Sequence, residues 1–325
     1  MKKTALFFCF FLLFFLRLSH QAYSLDFYLS PIIEYRNARL GEYVVIPEIF
    51  LNTGKNWILS DLQWQANTIF NLGAEAGLDF RNISFFTKAL FGLPGEVGSM
   101  TDEDFILFHM AEYVDGQKLE YIYSKSNIRL DSFYNFLLGF SWKPRLSFEK
   151  NSFGLGTSFE WRSIQLTSTG GIQYMYLHGD ETDANAEKIA LSGKGITYKQ
   201  NIFLWWLNAS FSLGLTKKLT ADFIFSYSPF WYGEGYDRHH HRSLDFLDKV
   251  EGHTAYKLAS HFMLQIREPV VLGLSINYLS IPMKVGSSAS KKTWETQYRA
   301  FDSSLGGMSL SEFSAAVFLR YRFSF

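Results

Sequence analysis

Phe313-Ser314-Ala315-Ala316-Val317-Phe318-Leu319-Arg320-Tyr321-Arg322-Phe323-Ser324-Phe325 closes the sequence, and its parity decides the fold. Phe313, Ala315, Val317, Leu319, Tyr321, Phe323 and Phe325 share one parity. Glu312, Ser314, Arg320, Arg322 and Ser324 share the other, with Ala316 and Phe318 as exceptions. Successive side chains of a strand point to opposite faces, so this stretch has one apolar and one largely polar face. The same alternation recurs in Phe203, Trp205, Leu207, Ala209, Phe211 and Leu213 against Asn208, Ser210 and Ser212, and in Leu62, Trp64 and Ala66 against Gln63, Gln65 and Asn67. A soluble sandwich and a membrane barrel both alternate, but they face opposite solvents. Three features favour the barrel: aromatics near strand ends (Trp205, Trp206, Phe230, Trp231, Tyr232), as in an interfacial girdle; long strands; and a last strand ending on an aromatic. A closed barrel also satisfies every backbone polar group without a free edge, as lipid requires.

Composition fits that reading. The chain has 325 residues, 31 Lys+Arg against 31 Asp+Glu, 47% hydrophobic and 18% aromatic residues, and a mean hydropathy of -0.03. Balanced charge argues against a nucleic-acid partner, and the apolar content excludes a disordered chain. Lys2 and Lys3, an apolar core from Ala5 to Leu16, and Ala22-Tyr23-Ser24 read as a secretory signal over 1–24, too short to span a membrane as a helix. Its removal takes away 24 residues, including Lys2, Lys3, Arg17 and the single cysteine, Cys9. That leaves one domain, 25–325, of 301 residues with 28 basic and 31 acidic groups. Without cysteine, disulfides, thiolate metal sites and cysteine nucleophiles are excluded; no metal site is expected.

The expected architecture is all-β: a ten-stranded antiparallel transmembrane barrel extending beyond the bilayer on the extracellular side. Strands are expected at 25–47, 58–75, 79–93, 119–143, 146–166, 196–216, 219–234, 250–267, 269–287 and 308–325. The piece 171–178 continues the preceding strand or belongs to a loop. Many runs exceed the roughly 9 to 11 residues that cross a bilayer. The polar connections 94–118, 179–195, 235–249 and 288–307 are expected to form the outer mouth. Thr216-Lys217-Lys218 and Arg267-Glu268-Pro269 would be tight periplasmic turns.

Two acidic motifs carry the candidate chemistry. In Gly98-Ser99-Met100-Thr101-Asp102-Glu103-Asp104-Phe105, extended backbone puts Asp102 and Asp104 on one side and Glu103 on the other, so two carboxylates can share a water or a proton. In Glu234-Gly235-Tyr236-Asp237-Arg238-His239-His240-His241, Asp237 and His239 share a face, and a carboxylate beside an imidazole fixes its tautomer. Taken singly, each motif equally reads as a solvated loop, and a triple histidine can capture a metal adventitiously.

Together, in this order and on a barrel, they resemble the omptin family of outer-membrane proteases. Ser60-Asp61-Leu62-Gln63-Trp64 is similar to the family's Leu-x-Trp segment, Gly98 to Phe105 to its Gly-x-Met-x-Asp-x-Asp-aromatic motif, Tyr198-Lys199-Gln200 to its Tyr-Lys-Gln strand, and Asp237-Arg238-His239 to its Asp-x-His motif; Lys249-Val250 follows at the family distance. The resemblance implies a proteolytic groove at the extracellular end. One wall would be the Asp102/Asp104 pair and the other the Asp237/His239 dyad, with a water activated between them. No Gly-x-Ser-x-Gly or His-Glu-x-x-His motif offers a competing mechanism.

The resemblance also implies cleavage of peptides or proteins beside basic residues, recognised by acids in a pocket. Glu42 matches one acid. The other falls on Gly235, with Glu234 adjacent as a substitute. The family's Ser-x-His segment reads Ser124-Lys125-Ser126. Lipopolysaccharide, bound on the outer barrel wall, is implied as well. Glu160 and Arg162 match an acidic-x-basic pair for it, whereas Asn201 and Glu251 stand where the family is basic, leaving another outer-leaflet lipid, or none, open. Oligomeric state is not implied. The alternative from a different class is an inactive barrel serving as adhesin, receptor or pore. Survival of all four motif residues favours the enzyme.

Overall fold

A computed structural model describes residues 25–47, 57–105, 113–114, 117–144, 151–177, 186–300 and 305–324; the expected signal, 1–24, lies outside the described residues. The described residues form strands only: β1 (Leu25–Ile46), β2 (Trp57–Phe80), β3 (Ile83–Gly92), β4 (Gly95–Phe105), β5 (Tyr113–Val114), β6 (Gln117–Trp142), β7 (Asn151–Leu177), β8 (Glu187–Gly214), β9 (Leu219–His239), β10 (Leu244–Gly252), β11 (Ala255–Arg267), β12 (Val270–Lys292), β13 (Arg299–Ala300) and β14 (Leu305–Ser324). β3 and β4 lie end to end between β2 and β6. β10 and β11 likewise fill one place between β9 and β12. With the two-residue β5 and β13 set aside, ten staves remain, and β1 pairs with both β2 and β14, closing the ring.

The interruptions have local causes. Pro94, between β3 and β4, has no N–H to give to a ladder. Gly252, at the end of β10, leaves room for the Trp231 indole, which a Cβ there would meet at 2.1 Å. The piece 171–178 continues β7 through Leu177.

The apolar parity faces outward in the lower barrel. Phe203, Trp205 and Leu207 on β8, Leu272 and Leu274 on β12, and Phe313, Val317 and Leu319 on β14 are all exposed. A run of ring contacts, Phe91–Phe136–Trp161–Phe203–Tyr232, circles β3, β6, β7, β8 and β9 with centroids 5.5 to 6.5 Å apart. That is an interfacial girdle. Two aromatics expected in it, Trp206 and Trp231, are instead fully buried inside the barrel, because their parity is the inward one. The exceptions Ala316 and Phe318 are also buried. Phe318 occupies the space that Gly273 leaves: a Cβ there would lie 2.0 Å from its ring.

Above the girdle the strands continue where loops were expected. Asp102 and Asp104 lie on β4, inside the expected connection 94–118. Asp237 and His239 end β9, and β10 follows after a four-residue turn, inside 235–249. β8 and β12 extend into 179–195 and 288–307. The reason is that outside lipid both faces of a stave meet water or protein, so backbone pairing persists while the apolar parity that marks a strand disappears. The tight turns at 216–218 and 268–269 stand as expected, at the end opposite these extensions.

Candidate active site

The carboxylate wall depends on a bulge. Val97 and Met100 are both buried although their parity differs, and the β4–β6 register shifts between Glu96 and Gly98. One extra residue flips every later side chain to the other face. Met100, Asp102 and Asp104 therefore turn inward, and Glu103 turns outward. Gly98 is required in this bulge: a Cβ would meet the Gln65 carbonyl oxygen at 1.9 Å. Asp102 then pairs in register with Leu62 and Ser124, and the Ser60 hydroxyl donates to its Oδ1 at 3.5 Å.

The opposite wall uses the same device. On β9 Ser226 and Ser228 are buried, then Trp231, Gly233, Gly235 and Asp237, so parity switches at Pro229. The β8–β9 register shifts there, between Trp205 and Leu207. Asp237 and His239 thus point inward, His239 Nε2 lying 2.5 Å from Asp237 Oδ2. With Nε2–H donating to the carboxylate, Nδ1 is the free acceptor. The Phe246 ring packs edge-on against the imidazole, centroids 5.1 Å apart. Arg238, facing outward, clasps Asp245 across the hairpin at 2.7 and 3.0 Å.

The walls face each other across the mouth. Arg242, in the β9–β10 turn, reaches Asp104 on β4 at 3.7 Å, although three staves separate those strands along the shorter way round the ring. Below, Trp64 of β2 stacks on Tyr198 of β8 across the lumen, centroids 5.6 Å apart. Asp237 lies five residues beyond the girdle residue Tyr232, about 17 Å along the strand, so the site stands clear of lipid.

Burial, then the Asp104 carboxylate, push Asp102 up to about 7, against the pull of His239 and Arg242. Burial disfavours the charged form of His239, but adjacent Asp237 outweighs it and raises the imidazole above its usual value. Each wall thus acts on the charge of the other across the mouth. Beside them sit two more buried acids. Glu42 is pushed well above the usual carboxylate range by burial and by Asp237, Asp248 and Asp102. Asp248 is raised to about 7, chiefly by burial.

The omptin family model matches residues 46–323. The chain belongs to the omptin family. No curated protein sequence matches it. Among solved structures this omptin is similar to the outer membrane protease OmpT from Escherichia coli, with a TM-score of 0.74 at 15% identity, covering 94% of this chain and 99% of that one. At that identity the likeness shows a shared fold. The P. putida toluene transporter TodX (TM-score 0.31, 9% identity, 92% of this chain and 90% of that one) and the translocator domain of the Neisseria meningitidis autotransporter NalP (TM-score 0.33, 9% identity, 94% and 91%) differ too much in shape to say more.

The four motif residues of this omptin converge, and Glu42 points into the same space. Glu234 does not. It faces outward with Tyr232 and Tyr236, whose hydroxyls donate to its carboxylate at 2.7 and 2.8 Å. Glu160 and Arg162 are not on the outer wall either. Their neighbours Phe159 and Trp161 take the outward parity, and both charges are buried in the lumen. Glu160 accepts from Asn135, Trp206 and Lys257 at 2.6, 2.8 and 2.9 Å. Arg162 pairs with Glu312 of β14 across the barrel. These two residues therefore do not fit a lipid site. Lumen crossings of this kind also disfavour an open pore.

Sequence reasoning missed Asp248 and Arg242. Asp248 could have been found by pairing β10 on β9, which sets it directly opposite Gly235. Arg242 carries no signal before the turn is known.

Proposed function

We propose that this omptin is an outer-membrane endopeptidase, exported by segment 1–24, with its groove facing the extracellular side. It cleaves peptides or proteins beside basic residues. The observation that carries the reading is the Asp237–His239 contact on one wall facing the Asp102/Asp104 pair on the other. A water between them loses its proton to His239 Nδ1. Asp237 holds the tautomer and stabilises the imidazolium that forms. The Asp102/Asp104 pair orients the water, whose oxygen bonds to the scissile carbonyl carbon. A proton on Asp102 meets the charge developing on the carbonyl oxygen, and as the C–N bond breaks the imidazolium gives its proton to the departing amine. No covalent intermediate is needed. Buried Glu42 supports the preference for a cationic side chain. The long wall of exposed apolar residues supports an outer-leaflet lipid environment; a requirement for lipopolysaccharide itself has no residue pair to rest on once Glu160 and Arg162 are inside.

Refolded protein should cleave fluorogenic peptides carrying Lys or Arg at the scissile position. His239→Ala and Asp102→Ala should each lower turnover by about 10⁴ while heat-modifiable gel mobility, the mark of an intact barrel, is retained. Undiminished cleavage by the His239 variant would sink the mechanism.

A further inference from the structure

Below the dyad the inward face carries several polar atoms that complete no well-formed hydrogen bond, the Trp64 N–H facing the Glu42 carboxylate among them. Glu42 Oε2, Asp248 Oδ1, Gln200 Oε1 and Trp64 Nε1 are all buried in this way. They come from β1, β10, β8 and β2, and Gly235 of β9 lies between two of them, pairing with Gln200 on one side and Asp248 on the other. Gly235 contributes no side chain, and a Cβ there would stand 3.3 Å from the Tyr198 ring. Gly306 of β14 similarly makes way for Asp248: a Cβ on it would fall 2.2 Å from the carboxylate.

We infer that Asp248 of β10 is the partner of Glu42 in a specificity pocket that takes the cationic side chain of a substrate lysine or arginine. The acid expected on β9 is thus supplied by its cross-strand neighbour, and Glu234 has no part in it. This rests on the protease reading for the word substrate, and on geometry for the pocket. Two buried carboxylates that face each other and meet only the Trp64 N–H and the Ser288 hydroxyl are costly when no cation lies between them. An ammonium brings three donors and a guanidinium five, with charge of the right sign. The stacked Trp64–Tyr198 pair offers an aromatic wall beside them for the aliphatic stem. The titratable groups facing Asp248 are Glu42 from β1 and Asp237 from β9, with the Tyr198 hydroxyl from β8 and the Ser288 hydroxyl from β12. No cation faces it among these.

The test uses full-length protein in detergent carrying His239→Ala, so that binding is read without cleavage. Two peptides differing only by Arg or norleucine at the scissile position are titrated by fluorescence anisotropy. The Arg peptide should bind more tightly by about thirtyfold or more. Asp248→Asn and Glu42→Gln should each collapse that ratio towards one, Asp248→Glu should keep much of it, and Glu234→Gln should leave it unchanged. Asparagine is isosteric with the protonated acid, so the barrel should survive, as gel mobility will report. An unchanged ratio in Asp248→Asn, or no Arg preference in the His239→Ala parent, overturns the assignment. Arg preference in binding together with no cleavage by the unmodified protein would leave the pocket standing and overturn the protease reading instead.

Discussion

The lumen at the height of the girdle and the mouth above it are both rich in buried charge, but they treat it in opposite ways. In the lower lumen each central carboxylate meets a cation: Glu34 with Arg36 at 2.5 Å and Lys88 at 3.5 Å, Glu312 with Arg36 at 2.7 Å and with Arg162, and Glu160 with Lys257 at 2.9 Å. In the mouth, Glu42, Asp237 and Asp248 each keep a buried oxygen without a partner. Paired charge fills and fixes the barrel. Acids such as Glu42 and Asp248, which face no cation and are costly to ionise where they are buried, wait for a proton or a ligand.

Substitution should separate the two regions most strongly through stability. Glu312→Gln takes one of two carboxylate partners from both Arg36 and Arg162, and Glu160→Gln takes the carboxylate partner of Lys257. Each should destabilise the barrel by about 3 to 5 kcal/mol, read as the urea midpoint in lipid vesicles. Glu42→Gln, which replaces a buried acid that faces other acids and pairs with no cation, should leave that midpoint unchanged or raised. Equal losses in both regions would erase the distinction.

A smaller effect tests how the mouth is aimed. Gly98→Ala forces the bulge to shift by way of the Gln65 carbonyl, turning Asp102 and Asp104 out of line, and misplacement on the ångström scale costs about 10²-fold in rate. Peptide cleavage should fall by that order while gel mobility is unchanged. Normal cleavage would mean that the bulge does not aim the carboxylates.

The smallest effect concerns Arg242. Its charge favours the ionised form of Asp102 and disfavours the protonated form of His239, so it lowers both values. Arg242→Ala should raise both, and the acidic limb of the kcat/KM profile, where His239 must lose its proton to work, should move to higher pH. A shift to lower pH would contradict the assigned electrostatics.

The same contrast explains what could be read from the sequence. In the lower barrel one face meets hydrocarbon, so parity in Phe313–Phe325 and Phe203–Leu213 marks strands plainly. In the mouth neither face does, and β4 and the end of β9 look like polar loops. The motifs were still legible, since Asp102/Asp104 and Asp237/His239 share faces at i, i+2 spacing whether or not the segment is called a loop. Facing direction was not. Glu160, Arg162 and Trp206 sit on the inward parity of β7 and β8, which a residue-by-residue motif match does not register, and Glu234 was misplaced because the bulge at Pro229 resets the parity of β9. Asp248 depends on β10–β9 register, which no local pattern carries.

The claim that the two walls form one catalytic unit is tested most directly by a double-mutant cycle on kcat/KM with Asp102→Asn and His239→Ala. Groups acting on the same water should give a double variant no slower than the slower single variant. Losses that multiply would show that the walls act independently and contradict the account.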